Sequence, residues 1–84
     1  MSDIESTLAE RGARYGEFHT HAEISQSLKK IVLAERKLLE PYQREALEMI
    51  CHKLARIVNG DPNYADSWLD IAGYAQLVVQ ELEK

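Results

Sequence analysis

From Phe18 to Leu82 the apolar residues return every three or four positions. That is the period of a helix with one buried face. Phe18, Ile24, Leu28, Ile31 and Val32 share one such face, and Leu47, Ile50, Cys51, Leu54, Ile57 and Val58 share a second. Trp68, Ile71, Ala72, Ala75, Val78, Val79 and Leu82 form a third. Alternation with a period of two never persists, so no strand is expected.

The breaks between stripes carry the local chemistry of helix ends. Pro41 suits the first turn of a helix, where its missing N–H costs nothing. Gly60, after the last periodic residue of the second stripe, is expected as the residue that closes that helix. "DPNYAD" then turns the chain, and the last helix is expected from near Asp66 almost to the end. Residues 3–10 suit a short helix with Ser2 as N-cap and Glu5 three positions on. "RGARYG" should break it, with glycines at 12 and 16. "AERKLLE" (34–40) suits either an extension of the second helix or a connection. The fold class expected is all-α: one domain, 1–84, built as a small antiparallel bundle of three main helices. Residues 1–16 form a short N-terminal helix and a Gly-containing loop, and residues 17–84 the helical core.

A chain of 84 residues buries only about 60% of its unfolded surface, which makes a homo-oligomer the expected state. Met49, Leu69 and Leu77 fall outside the main stripes and are candidates for a second contact surface. The net charge of −4 argues against general nucleic-acid binding. Yet residues 26–56 hold seven Lys/Arg against four Asp/Glu, between acidic ends. The lone Cys51 forbids an internal disulfide and suits a reducing compartment. The N-terminus is acidic without an apolar core, and no apolar run approaches the ~18 residues of a span. A cytoplasmic protein with no membrane partner is expected.

Several polar residues sit close to the apolar stripes. Asp70 and Tyr74 lie one helical turn apart at the edge of the last stripe, with Gly73 beside them. Lys53 occupies the matching margin of the third helix, three residues before Arg56, and His21 falls inside the stripe of the second. If these faces meet, His21, Lys53, Asp70 and Tyr74 border one space. Gly73, which costs a helix about 1 kcal/mol relative to Ala, would let a backbone or ligand come close. The plainer reading is a Lys53–Asp70 interhelical ion pair that fixes register, a hydrogen bond from Tyr74, a core histidine and a packing glycine. "ERGARYGEF" is the second informative stretch: Arg11 and Arg14 with backbone N–H groups suit a phosphate, and Tyr15 a base. The plainer reading there is a loop with solvated arginines and a packed tyrosine. The candidate ligand-binding set is Arg11, Arg14, Tyr15, His21, Lys53, Arg56, Asp70 and Tyr74, with no catalytic residue assigned. His19, His21, Cys51 and His52 lack metal-ligand spacing, so no metal and no cofactor are expected.

Three blocks together carry a resemblance: "RGARYGEF", "EMICHKLARIV" and "DSWLDIAGYAQL". Their order resembles a family of small phage and prophage proteins marked by RG-x-x-YG-(D/E)-F, K-x-x-R and D-x-W-x-DIAGYA. The likeness spans about residues 10–80, and its positions here are Arg11, Gly12, Tyr15, Gly16, Phe18, Lys53, Arg56, Asp66, Trp68, Asp70, Gly73 and Tyr74. That family is similar to domains associated with phage nucleotide modification and, more distantly, to MazG-like nucleoside triphosphate pyrophosphohydrolases. The resemblance implies nucleotide phosphates as ligand. The enzymes hold Mg²⁺ with an E-E-x-x-E helix and a later E-x-x-D. Here Asp70 matches the final acid, but Ser67 stands three residues before it, and Lys53 and Arg56 occupy the third helix. Basic groups suit direct phosphate binding better than metal coordination. The expected function is therefore a small phage or prophage accessory protein that binds a nucleotide or other phosphorylated ligand without turnover, in counter-defence or nucleotide metabolism. The alternatives are a degenerate Mg-dependent MazG-like pyrophosphohydrolase, and an interaction module that binds a host or phage protein and keeps Lys53–Asp70 as a structural pair.

Overall fold

Short-range hydrogen bonds at the helix starts place the elements. In the computed structural model, which describes residues 2–34 and 38–84, these are α1 (Asp3–Tyr15), α2 (Phe18–Val32), α3 (Pro41–Asn59) and α4 (Ala65–Leu82). Ser2 Oγ accepts from the Glu5 N–H at 3.2 Å, capping α1. Pro41 opens α3, and Gln43 Oε1 accepts from the Glu40 N–H at 2.9 Å. Leu33 and Ala34 lie beyond α2, Leu38 to Glu40 are non-helical, and residues 35–37 of "AERKLLE" fall outside the described residues.

One boundary differs from the sequence expectation. The first helix does not break at Gly12 but continues to Tyr15. One interior glycine costs a helix only about 1 kcal/mol relative to Ala, and the end of α1 gains anchors. Asn59 Nδ2 donates to the carbonyls of Tyr15 and Glu17, both at 2.9 Å, and the Asp61 N–H donates to the Arg14 carbonyl at 2.6 Å. Gly16 is the true stop, with φ +80° and its N–H on the Gly12 carbonyl at 2.9 Å. Gly60 is required for a different reason. Its φ is −126°, but a Cβ there would sit 2.2 Å from the Arg14 carbonyl oxygen. Backbone meets backbone at this corner, and only glycines leave the room.

α3 is the middle helix. α2 packs on one side of it and α4 on the other, with no contact between α2 and α4 among the described residues. α1 lies against α2 and α3. Both long neighbours run antiparallel to α3: the start of α2 lies at the end of α3, and Lys53 reaches Asp70 near the start of α4. Cys51 and Ala55 are buried on one phase of α3, and Ala46, Lys53 and Ile57 on the opposite phase. Ser25 of α2 and Ser67 of α4 are buried too. Such small side chains bring helices close but leave a thin interior. The buried hydrophobic residues are Ala46, Cys51, Ala55 and Ile57 alone among the described residues, and no large side chain is fully enclosed.

The stripes in the sequence are wider than the interfaces they make. α4 turns Ser67, Ile71, Tyr74 and Val78 toward α3 and leaves Trp68, Ala72, Ala75, Val79 and Leu82 exposed. Phe18 and Ile31 of the first stripe and Val58 of the second are likewise exposed. No helix of the described residues is long and apolar enough to cross a membrane.

Candidate functional site

The α1–α2 corner, clamped to the end of α3 by Asn59, leaves a concavity of about 500 Å³. Leu8, Arg11 and Gly12 of α1 form one wall, Tyr15, Gly16, Glu17 and Phe18 the corner, and His21, His52 and Arg56 the floor. Of the eight residues expected to share a site, the structure brings together Arg11, Tyr15, His21 and Arg56 here. Neither arginine is ion-paired among the described residues, and Glu17 supplies the lone carboxylate of the lining.

The other four sit elsewhere. Lys53 Nζ meets Asp70 Oδ2 at 2.9 Å on the α4 side of α3, so the single space expected for His21, Lys53, Asp70 and Tyr74 does not form. The reason is azimuthal: Lys53 and His52 are adjacent in sequence, hence about 100° apart around α3, and only His52 turns toward His21. Tyr74 is half-buried beside Asp70, and no hydrogen bond from it reaches the pair among the described residues. A Cβ on Gly73 would meet nothing within 4 Å among the described residues, so none of them packs closely on that glycine. Arg14 turns away from the concavity. It pairs with Glu10 at 3.4 Å and lies over the Tyr64 ring at 4.3 Å.

Tyr15 is also more engaged than the sequence implied. The Arg56 guanidinium covers one face of its ring at 4.1 Å, and the Tyr64 ring meets it edge-on at 6.1 Å. The run Arg56–Tyr15–Tyr64–Arg14 thus ties α1 to α3 and to the turn before α4, by cation–π and edge contacts worth roughly 0.5–1.5 kcal/mol each. A base could stack on that face of Tyr15 only by displacing Arg56. Arg56 lines the concavity as well as covering Tyr15.

His52 lines the concavity and was not in the candidate set expected from the sequence. Its Nδ1 lies 3.3 Å from His21 Nε2, and the two rings meet edge-on at 4.5 Å and 83°. One signal was present: His52 is one turn before Arg56 on the same face of α3. Burial and the charges of Arg56, Lys29 and Lys53 push the His21 pKa down. Burial, Arg56, His21, Lys53 and Lys29 take His52 down to about 4. Both rings are therefore neutral at pH 7, one donating to the other. His21 Nδ1 and Ser25 Oγ, one turn apart, are buried without a hydrogen-bond partner among the described residues. Cys51 is 2% exposed, and burial pushes its thiol pKa up, so it packs as an apolar group.

The histidine pair yields a pH prediction. Depressed folded-state values mean that the unfolded chain binds more protons between pH 6.5 and about 4. The stability held above pH 6.5 is therefore lost as the pH falls through that window. Thermal melts should show a Tm roughly 5 °C lower at pH 4.5 than at pH 7.5, a modest figure because His52 is partly solvated. His52→Gln should flatten that slope; an unchanged slope would contradict the assignment.

Among the described residues no group of three or more His, Cys, Asp and Glu is placed to hold a metal ion. Residues 3–82 match the family model described as Domain of unknown function (DUF6378). The chain belongs to the DUF6378 family. No curated protein and no solved structure matches it. The matched span includes every residue of the concavity and of the Lys53–Asp70 pair, so both belong to the DUF6378 domain itself.

Proposed function

We propose that this DUF6378 chain is a small phage or prophage accessory protein that binds a nucleotide or other phosphorylated ligand, without turnover, in the concavity between α1, α2 and α3. The observation that carries the reading is the convergence of Arg11 and Arg56 on one recess, with no ion-paired carboxylate holding either among the described residues. Guanidinium groups bind phosphate by paired, charge-assisted hydrogen bonds. A recess of about 500 Å³ falls in the range of small-molecule sites. Leu8 and Phe18 supply apolar walls for a base or sugar, and Glu17 an acceptor for amino or hydroxyl groups. The neutral histidine pair can donate one further N–H without adding a repelling charge.

The hydrolase alternative asks Asp70 to hold Mg²⁺. Here that carboxylate is paired with Lys53, away from the recess. The interaction-module alternative keeps the pair as a structural one, as its 2.9 Å geometry supports.

Calorimetry and melting shifts with inorganic phosphate, pyrophosphate, nucleoside mono- and triphosphates and cyclic dinucleotides test the proposal. At least one should bind at millimolar concentration or better. Arg11→Met, on the exposed side of α1, should weaken it about tenfold or more, the loss of one charge-assisted contact. No response to any of these compounds at millimolar concentration removes the proposal. Equal binding by Arg11→Met moves the ligand out of this recess.

A further inference from the structure

We propose that a second copy of this chain packs against the side of the α2–α3–α4 layer opposite the recess. Antiparallel neighbours turn in opposite senses when viewed along one direction. With α2 and α4 on either side of α3, one face of the layer therefore collects Ile24, Leu28 and Ile31 from α2, and Leu47, Leu54 and Val58 from α3. From α4 it collects Trp68, Ala72, Ala75, Val79 and Leu82, at intervals of four, three, four and three residues. That is a heptad seam. It runs beside the set 67, 71, 74 and 78 that α4 already uses against α3. The opposite face carries His52, Arg56, the Lys53–Asp70 pair and α1.

The apolar face is not covered by any described residue. Ile31 is 73% exposed, Val58 71%, Leu82 63% and Trp68 53%. With Leu54 and Val79, six large residues of this face are exposed, together an area on the order of the 800 Å² per partner of a stable specific interface. A monomer rarely leaves so large a patch open. The polar end of Trp68 is already satisfied, its indole N–H donating to the Pro62 carbonyl at 2.9 Å, so the ring can be buried without losing a hydrogen bond.

Two features select a copy of the same chain as the occupant. Among the described residues the single chain buries only four hydrophobic side chains, all small or medium, so covering this face supplies most of its apolar core. A partner needed for the core must be present whenever the chain is, which its own copy always is. In addition, residues near a two-fold axis meet themselves, and a charge there would face its like. The three stripes contain no charged residue. The groove of α4 with Leu69 and Leu77 is a weaker candidate, because Asp70 lies within it.

The test uses the full chain and its single tryptophan. Sedimentation from 1 to 200 μM should show a dimer, and Trp68 emission should shift blue and resist acrylamide quenching as the dimer forms. Ile31→Glu and Val58→Glu, both at positions exposed in the single chain, should raise the dissociation constant about a hundredfold or more. Leu77→Glu, on the far side of α4, should leave it unchanged. If Ile31→Glu or Val58→Glu fails to fold, the unmodified chain still decides through Trp68 protection and the concentration dependence of its Tm. A folded monomer at 200 μM with Trp68 open to quencher overturns the proposal. So does a dimer that survives both glutamates but is lost in Leu77→Glu.

Discussion

Gly16→Ala is expected to destabilise the protein by about 3 kcal/mol or more and to detach α1 from α3. Gly16 has φ +80° and ψ −169°, a region that costs an L-residue of order 1–3 kcal/mol by itself. A Cβ there would lie 2.1 Å from the Asn59 carbonyl oxygen and 2.6 Å from Asn59 Nδ2. The obstacle is largely backbone, which cannot swing aside as a long side chain would. Relief means moving the corner away, which breaks the Asn59 bonds to the Tyr15 and Glu17 carbonyls. It also separates Tyr15 from Arg56 and Tyr64. The wall of the recess goes with α1, so ligand binding should fall with stability. Urea unfolding measures the first effect and calorimetry the second. A variant within about 1 kcal/mol of the unmodified chain would show that the corner is looser than this geometry requires.

The second large effect concerns the Lys53–Asp70 pair. Lys53 has 11% of its side chain exposed and Asp70 has 49%. Removing the carboxylate leaves a buried ammonium without its partner. Asp70→Ala should cost about 2 kcal/mol, below the 3–5 kcal/mol of a wholly buried pair because half of Asp70 faces water. Lys53→Met combined with Asp70→Leu should return stability to within about 1 kcal/mol of the original or above it, since the apolar pair carries no desolvation cost. Denaturant melts of the two single variants and the double variant give the coupling directly. Additive losses would mean that the 2.9 Å contact contributes nothing specific. Neither change touches the recess, so phosphate-ligand binding at saturating stability should be preserved.

What could be read from the chain alone is what local physics decides. The four helices, the Ser2 cap, the Pro41 start and the stop at "NG" follow from rotation per residue and from backbone groups that need partners nearby in sequence. The Lys53–Asp70 contact was legible for the same reason: each residue lies at the margin of an apolar stripe, and stripes of consecutive antiparallel helices meet. The corner at Gly16 and Gly60 was not, because the signal is the approach of two backbones 44 residues apart, and each glycine by itself is ambiguous.

The helical period says which residues share a face, and it says this for α4 without choosing between two seams one residue apart. Docking on α3 made that choice, burying Ser67 and half-burying Ile71, while Trp68 and Ala72 stayed outside. The same rotation separated His52 from Lys53 and joined it to His21. Periodicity is a property of one helix, whereas the angle at which that helix sits against its neighbour is set by the smallest side chains between them. Here those are Ser25, Ala46, Cys51, Ala55 and Ser67, and only the assembled layer shows which way they turn the rest.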